Sequence, residues 1–190
     1  MSESSVGRAA AIAFPIIVVV ISILFGISYL ISTLLGFPFS LGLPAAVRVV
    51  GGFIVLAGLS VMGWVFSYRS PAKVIVSTYV TLAKLFRRIP IADKAGRTEP
   101  LVVSGPQKYV RSPLYFGVVV MVLGWAMLSA YTFVFVATVV LLLWFGLFLI
   151  PFEEKELRAL FGDEWRNYSE QTPMLIPFTK RRKERIVVTS

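Results

Sequence analysis

SPLYFGVVVMVLGWAMLSAYTFVFVATVVLLLWFGLFLIPF, residues 112–152, contains no Asp, Glu, Lys or Arg. A hydrocarbon layer about 30 Å thick takes roughly 20 apolar residues per helix. The run therefore predicts two crossings, from about Pro113 to Leu128 and from Thr132 to Ile150, with Ser129-Ala130-Tyr131 as the turn between them. Proline fits the first turn of a helix, where its missing N–H is not needed, so Pro113 marks the start. A helical hairpin returns the chain to the face it left. The polar stretch that ends at Arg111 and the acidic stretch that opens at Glu153-Glu154 are thus expected at one membrane surface.

Composition agrees with a membrane protein. The chain is 57% hydrophobic and 15% charged, with a mean hydropathy of +0.80, which is too apolar for an ordinary soluble domain. Two further charge-free stretches, Ala9 to Val47 and Val49 to Tyr68, predict spans near Phe14–Leu35 and Ala45–Phe66. Gly36-Phe-Pro-Phe-Ser-Leu-Gly-Leu-Pro44 separates them as a turn. Arg48 lies close enough to the end of the second span to reach the interface. The first span is too long for a signal-peptide core of about 7–15 residues and is expected to be retained.

The expected fold is all-α: a polytopic bundle of about four transmembrane helices, an interfacial helix and a cytoplasmic C-terminal helix. It forms one membrane domain over residues 1–190, with a hairpin and interfacial helix in 1–100, a motif region in 101–178 and a basic tail in 179–190. Between Ser67 and Arg111 lie Arg69, Lys73, Lys84, Arg87, Arg88, Lys94, Arg97, Lys108 and Arg111, whereas the two hairpin turns carry no cation. By the positive-inside rule that loop and both termini face the cytoplasm, across an inner membrane or an endomembrane. The net charge of +9 then reads as a topology signal and an attraction to anionic headgroups, not as a nucleic-acid surface.

Within the loop, Val74, Ile75, Tyr79, Leu82, Ala83 and Phe86 recur at helical spacing, bracketed by Lys73, Lys84, Arg87 and Arg88. They predict an interfacial helix over Ala72–Phe86. It either packs on the membrane or forms one wall of a lateral opening for a lipid substrate.

The chain has no Cys and no His. That removes a thiol nucleophile, a Ser-His-Asp triad and an ordinary zinc or haem site, so no metal is expected. No phosphate-cradling or dinucleotide-binding glycine motif is present. Carboxylates, Tyr, Lys and Arg remain for polar work. Gly105-Pro106 makes a tight turn before Tyr109, and Arg111-Ser112-Pro113 sits where loop becomes helix. Amides free at that helix start, beside the Arg111 guanidinium, suit a carboxylate. Glu153 and Glu154, after Pro151, suit an amine or ribose hydroxyls. Tyr115 and Phe116 offer aromatic faces to an adenine or a sulfonium.

Gly-Pro-Gln-Lys-Tyr-Val-Arg-Ser-Pro-Leu-Tyr-Phe-Gly, followed at 153–168 by Glu-Glu-Lys-Glu-Leu-Arg-Ala-Leu-Phe-Gly-Asp-Glu-Trp-Arg-Asn-Tyr, resembles the superfamily of integral membrane methyltransferases. That superfamily includes isoprenylcysteine carboxyl methyltransferases and phospholipid N-methyltransferases. The resemblance spans about Leu101 to Pro177. It implies S-adenosylmethionine as cofactor and a lipid-like or prenylated acceptor entering from the bilayer. The cofactor set it implies is Gly105, Pro106, Lys108, Tyr109, Val110, Arg111, Ser112, Pro113, Tyr115, Gly117, Glu153, Glu154 and Leu157. Gln107 stands where an aromatic residue is usual and Ser112 where the pattern has His, which leaves no imidazole to act as a base. Glu154 is the candidate base for an amine acceptor. Arg166, with Tyr168, is the candidate to hold an acceptor carboxylate. A carboxylate needs no base, so isoprenylcysteine-type carboxyl O-methylation is the first expectation and phospholipid N-methylation the second. An NADPH-dependent membrane reductase and a non-catalytic membrane protein are the remaining alternatives.

Overall fold

The computed structural model describes residues 3–87 and 101–177. Among these residues there are six α-helices: α1 (Glu3–Leu34), α2 (Ala45–Tyr68), α3 (Pro71–Arg87), α4 (Pro113–Ser129), α5 (Thr132–Trp144) and α6 (Ile150–Gln171), with a short 3₁₀ turn at Gly105–Lys108 before α4. Three stretches are long and apolar enough to span a bilayer: Ala11–Leu34, Ala45–Tyr68 and the rod that starts at Thr132. The shorter apolar helix is α4, whose 17 residues reach about 25 Å. Three of the four expected crossings thus have the length and apolarity of a span, and the fourth is the shorter apolar helix α4. The basic tail and the polar link from Asp93 to Pro100 lie outside the described residues.

α2 and α4 run side by side because glycine lets them. Gly51 and Gly58 on α2 are seven residues apart, as are Gly117 and Gly124 on α4, and the two pairs meet in antiparallel register. A Cβ on Gly124 would stand 2.5 Å from the Val55 amide nitrogen, and one on Gly58 would stand 2.6 Å from that of Met121. In lipid, where apolar surface gains nothing by leaving its surroundings, such close backbone approach is a main source of helix association. Arg48 strengthens the far end of the pair. Its Nε donates to the Leu128 carbonyl at 2.9 Å, where the negative end of the α4 dipole favours a cation.

The two hairpin turns are tied to each other. Thr132 N–H donates to Phe39 O at 3.1 Å and Leu41 N–H to Ala130 O at 2.8 Å. Ala130 takes the left-handed conformation that ends α4, and Phe39, Tyr131 and Phe133 cluster there with centroids 5.0–6.3 Å apart.

Two boundaries differ from those expected on sequence. α1 begins at Glu3, eleven residues before Phe14, and runs through Pro15. α6 is not separated from α5 at Pro151. The rod passes through a π-helical turn at Phe145–Leu149, where Ile150 N–H reaches Phe145 O. A proline inside a helix clashes with the carbonyl four residues earlier. The wider π turn opens the backbone at that place, and the helix continues. The bend comes later, at Gly162, whose φ of 51° and ψ of −120° suit glycine alone. It folds the last turns of α6 back toward the start of α4.

α3 packs beside α1, and its Lys84 Nζ meets Glu156 Oε1 of α6 at 2.5 Å. Gly117 and Gly124 are helix-packing positions, as their spacing suggests, but Gly146, another glycine of the charge-free run, has nothing within 4 Å of an added Cβ. Gly124→Val should therefore cost about 3 kcal/mol through overpacking, whereas Gly146→Ala should leave stability unchanged or raise it by about 0.5 kcal/mol. Thermal unfolding of the purified variants in one detergent checks the contrast.

Candidate functional site

At the end of the bundle where α2 stops and α4 starts lies a cavity with an envelope of about 670 Å³, counted with its open mouth. α2 and the residue after it contribute Val65 and Arg69, and α3 contributes Val74, Ser77 and Thr78. Gln107, Arg111, Ser112, Pro113 and Tyr115 come from the first motif, and Glu153, Leu157, Trp165 and Tyr168 from the second. The hairpin of α4 and α5 thus brings the two motifs to one place. α3 forms part of the cavity wall.

The motifs are joined by specific contacts. Arg111 Nη2 pairs with Glu154 Oε1 at 3.0 Å, and the guanidinium carbon lies 5.7 Å from the centre of the Trp165 ring. Tyr168 Oη donates to the Gln107 backbone carbonyl at 2.7 Å. Burial, with Glu154 opposing and Arg111 favouring ionisation, raises the Tyr168 phenol well above its ordinary range. It stays a donor. Beyond α6 the chain returns along the first motif: Arg111 N–H donates to Pro173 O at 2.9 Å and Ser112 N–H to Met174 O at 3.1 Å. The amides expected to receive an anion beside Arg111 are therefore already engaged at these two residues.

Several residues expected at the site stand elsewhere. Gly105 has φ of +61°, and a Cβ there would lie 2.8 Å from the Tyr68 ring, so its role is to let the turn approach α2. Pro106 and Val110 are buried in packing, and Lys108 is exposed. Tyr109 faces away from the cavity and packs against Trp64 at 5.8 Å. With Val61, Pro106, Val110, Pro113, Phe116 and Pro177 it lines an apolar groove on the other side of Pro113. Gly117 meets Met62 and Gly58. Arg166 is on the outer surface, 3.3 Å from Glu170 one turn away, because the Gly162 bend turns Trp165 and Tyr168 inward and leaves Arg166 outside. Glu154 serves as the counter-ion of Arg111 and does not line the cavity.

Sequence reasoning misses Trp165, the ring beside Arg111, and Gln107. Gln107 reads there only as a departure from an aromatic pattern, yet its side chain is 4% exposed, and its Oε1 has no hydrogen-bond partner among the described residues. Arg111 Nε is likewise buried without a hydrogen-bond acceptor among them. Unmet buried polar atoms of this kind are costly unless a ligand completes them. An orphan acceptor and an orphan donor in one cavity are complementary to an ammonium and a carboxylate on one molecule. The methionine end of S-adenosylmethionine carries that pair, so the residues present fit the cofactor. The signal legible in sequence is a polar amide placed between Pro106 and Lys108 in an otherwise conventional turn.

A family model described as phospholipid methyltransferase matches residues 90–164. Methanethiol S-methyltransferase of Crocosphaera subtropica is 32% identical over 132 residues, which cover 67% of this chain and 48% of that protein. Methanethiol S-methyltransferase 1 of Bradyrhizobium diazoefficiens is 36% identical over 73 residues, which cover 38% of this chain and 25% of that protein. The chain thus spans about half the length of the first of these relatives and a quarter of the second. No solved structure matches at a significant level. The matched interval takes in Gly105 to Gly117, both apolar helices of the hairpin and Glu153-Glu154, so over residues 90–164 this chain is similar to the phospholipid methyltransferase family.

Proposed function

We propose that the protein is an S-adenosylmethionine-dependent methyltransferase acting on a small thiol at the cytoplasmic membrane face. The observation that carries the methyl-donor reading is the pairing of orphan polar atoms, Gln107 Oε1 and Arg111 Nε, in a cavity that both motifs enclose. The acceptor reading draws on the relatives, whose names specify methanethiol. It replaces the prenylated carboxylate that the sequence resemblance implied.

When bound, the cofactor supplies a methyl group on a sulfonium. Gln107 Oε1 and Arg111 Nε would hold its ammonium and its carboxylate, while Glu154 and Trp165 hold the Arg111 side chain in place. Glu153, at the first turn of α6, adds negative charge beside the cavity. The acceptor thiol would have to lose its proton before taking a methyl group, and the cavity residues would hold its sulfur in line with the donor. Positioning can supply much of the rate for such a step. The thiolate is the nucleophile, and a chain without His leaves its formation to solvent or to Glu153. Tyr168 cannot serve as a base at neutral pH, since its phenol is held protonated.

The prenylated-carboxylate reading retains one supporting observation, the apolar groove of Val61, Trp64, Tyr109 and Phe116 beside Pro113. The acceptors respond differently to pH. With a thiol, turnover at low acceptor concentration should rise about tenfold per pH unit between about pH 5.5 and 8, since a simple alkyl thiol ionises above the roughly 8.5 of a cysteine side chain. With a carboxylate it should be flat between about pH 5.5 and 8. Methyl transfer by purified protein to methanethiol and to a prenylated cysteine, measured across this range, decides. Turnover of the prenylated compound alone would overturn the thiol assignment.

S-adenosylhomocysteine should raise the melting temperature, because it binds only the folded state. NADPH should not. Gln107→Leu should weaken S-adenosylhomocysteine about 10- to 100-fold, as expected for losing a hydrogen bond to a charged group. A wild-type dissociation constant in that variant would remove the amide from the site.

Tyr168→Phe leaves the Gln107 carbonyl without its donor and should cost about 1 kcal/mol. The sign with pH follows from the raised phenol. Its contribution is fully present below the unfolded value near 10 and is lost as pH rises through the folded value. The gap in stability between wild type and variant should hold constant to about pH 10 and narrow above it, as denaturant unfolding at each pH would record.

Orientation follows from the cation distribution. In intact cells an impermeant thiol reagent should label Ser40→Cys and spare Lys108→Cys.

A further inference from the structure

α3 and α6 flank the cavity and are joined below it by a buried ion pair that takes no part in the chemistry above. Val74, Ser77 and Thr78 line the cavity from α3, and Glu153 and Leu157 line it from α6. Lys84 lies seven residues after Ser77, about 10 Å further along the helix, and reaches Glu156 at 2.5 Å. The two side chains are only 6% and 3% exposed, and neither residue lines the cavity. α3 follows α2 after Arg69 and Ser70 alone, so its start is fixed by the chain and its far end by what it packs against.

Burying two charges is an inefficient way to gain stability, since a well-packed apolar pair of similar size does as well or better. What an ion pair adds is selectivity of geometry. A slide or rotation of α3 against α6 leaves both charges out of water and out of reach of each other, whereas apolar side chains tolerate many such displacements. Glu156 stands one turn from Glu153, so the position of α6 that satisfies Lys84 also sets the cavity carboxylate.

We propose that Lys84 and Glu156 are positioning residues that lock α3 to α6 at the separation the methyl-donor cavity requires. The consequence for affinity rests on the function proposed above; the consequence for helix separation does not.

A chain without cysteine allows both to be measured. Lys73→Cys and Arg158→Cys place spin labels on α3 and α6, outside the cavity lining. In nanodiscs, the otherwise unaltered pair should give one narrow distance distribution. Replacing the ion pair with Lys84→Met and Glu156→Met should retain a melting temperature near that of wild type, broaden the distribution and weaken S-adenosylhomocysteine about tenfold. Reversing the charges, with Lys84→Glu and Glu156→Lys, should narrow the distribution again and recover most of the affinity. A double methionine variant with the wild-type distribution and affinity would overturn the proposal. So would a folded charge-reversed variant that stays broad and weak. If the double methionine variant does not fold, the reversal alone decides. If wild type itself fails to bind S-adenosylhomocysteine, the methyl-donor reading falls, and the distance distributions still judge the ion pair.

Discussion

A chain that enters an apolar layer at Ser112 and leaves it at Phe152 after two crossings must emerge on the face it entered. The rest of the site depends on that constraint. Arg111 and Glu154 lie 43 positions apart in sequence and 3.0 Å apart in space because α4 and the rod beginning with α5 share a turn and neither can stop halfway. Backbone groups in lipid have no water to bond, so each crossing must remain helical through the whole layer. The hairpin therefore acts as a fixed-length spacer. The polar groups of both motifs sit at its open end.

The two ends of the bundle are stabilised by different means. At the closed end, backbone bonds between Phe39, Leu41, Ala130 and Thr132 tie the turns together, and the glycine contacts of α2 and α4 set the distance between helices. At the open end, charge replaces close packing. Arg111 is held by Glu154 on one side and Trp165 on the other, and the segment of chain after α6 takes its amide. Little of that order is spent on satisfying Gln107 Oε1 and Arg111 Nε, which are left with unmet bonding capacity. An apolar membrane protein can carry such a cost at one end only if the remainder of the bundle is secure.

The spans are legible in the sequence because a stretch of 20 or more residues without charge, in a chain this apolar, has the length a bilayer demands and no polar face to show to water. Their boundaries at Ala45, Pro113 and Thr132 coincide with turn and capping residues that sequence displays directly. The continuation of α5 into α6 is not legible, since Pro151 ordinarily signals a break and the π turn that accommodates it has no residue signature. The glycine pairs 51/58 and 117/124 share a seven-residue spacing from which the α2–α4 register could be predicted. At the site, Arg111, Ser112, Pro113, Tyr115, Glu153, Leu157 and Tyr168, all named from motif order, line one cavity. Arg166 stands on the outer surface because the non-helical backbone at Gly162 resets the face of the turns that follow, and residue spacing alone does not display this. Motif reading also leaves the amides beside Arg111 free for an anion, when the chain after α6 takes those of Arg111 and Ser112 and Glu154 holds Nη2.

The substitution at Ser112 takes on a different meaning beside Gln107. A histidine at a helix start could donate, accept or carry charge, and Ser112 retains only the first two. Ser112 faces the cavity without capping α4, and Gln107 supplies a buried acceptor in the same lining. Together the two residues make a neutral, hydrogen-bonding wall where an imidazole would have made a titratable one. Such a wall suits transfer to a nucleophile that can ionise in solvent, because no proton then has to be removed inside the cavity. It is poorly suited to an ammonium acceptor, which must lose its proton before it can attack and would find only carboxylates to take it. The chemistry of this wall and the thiol named for the relatives therefore point in the same direction.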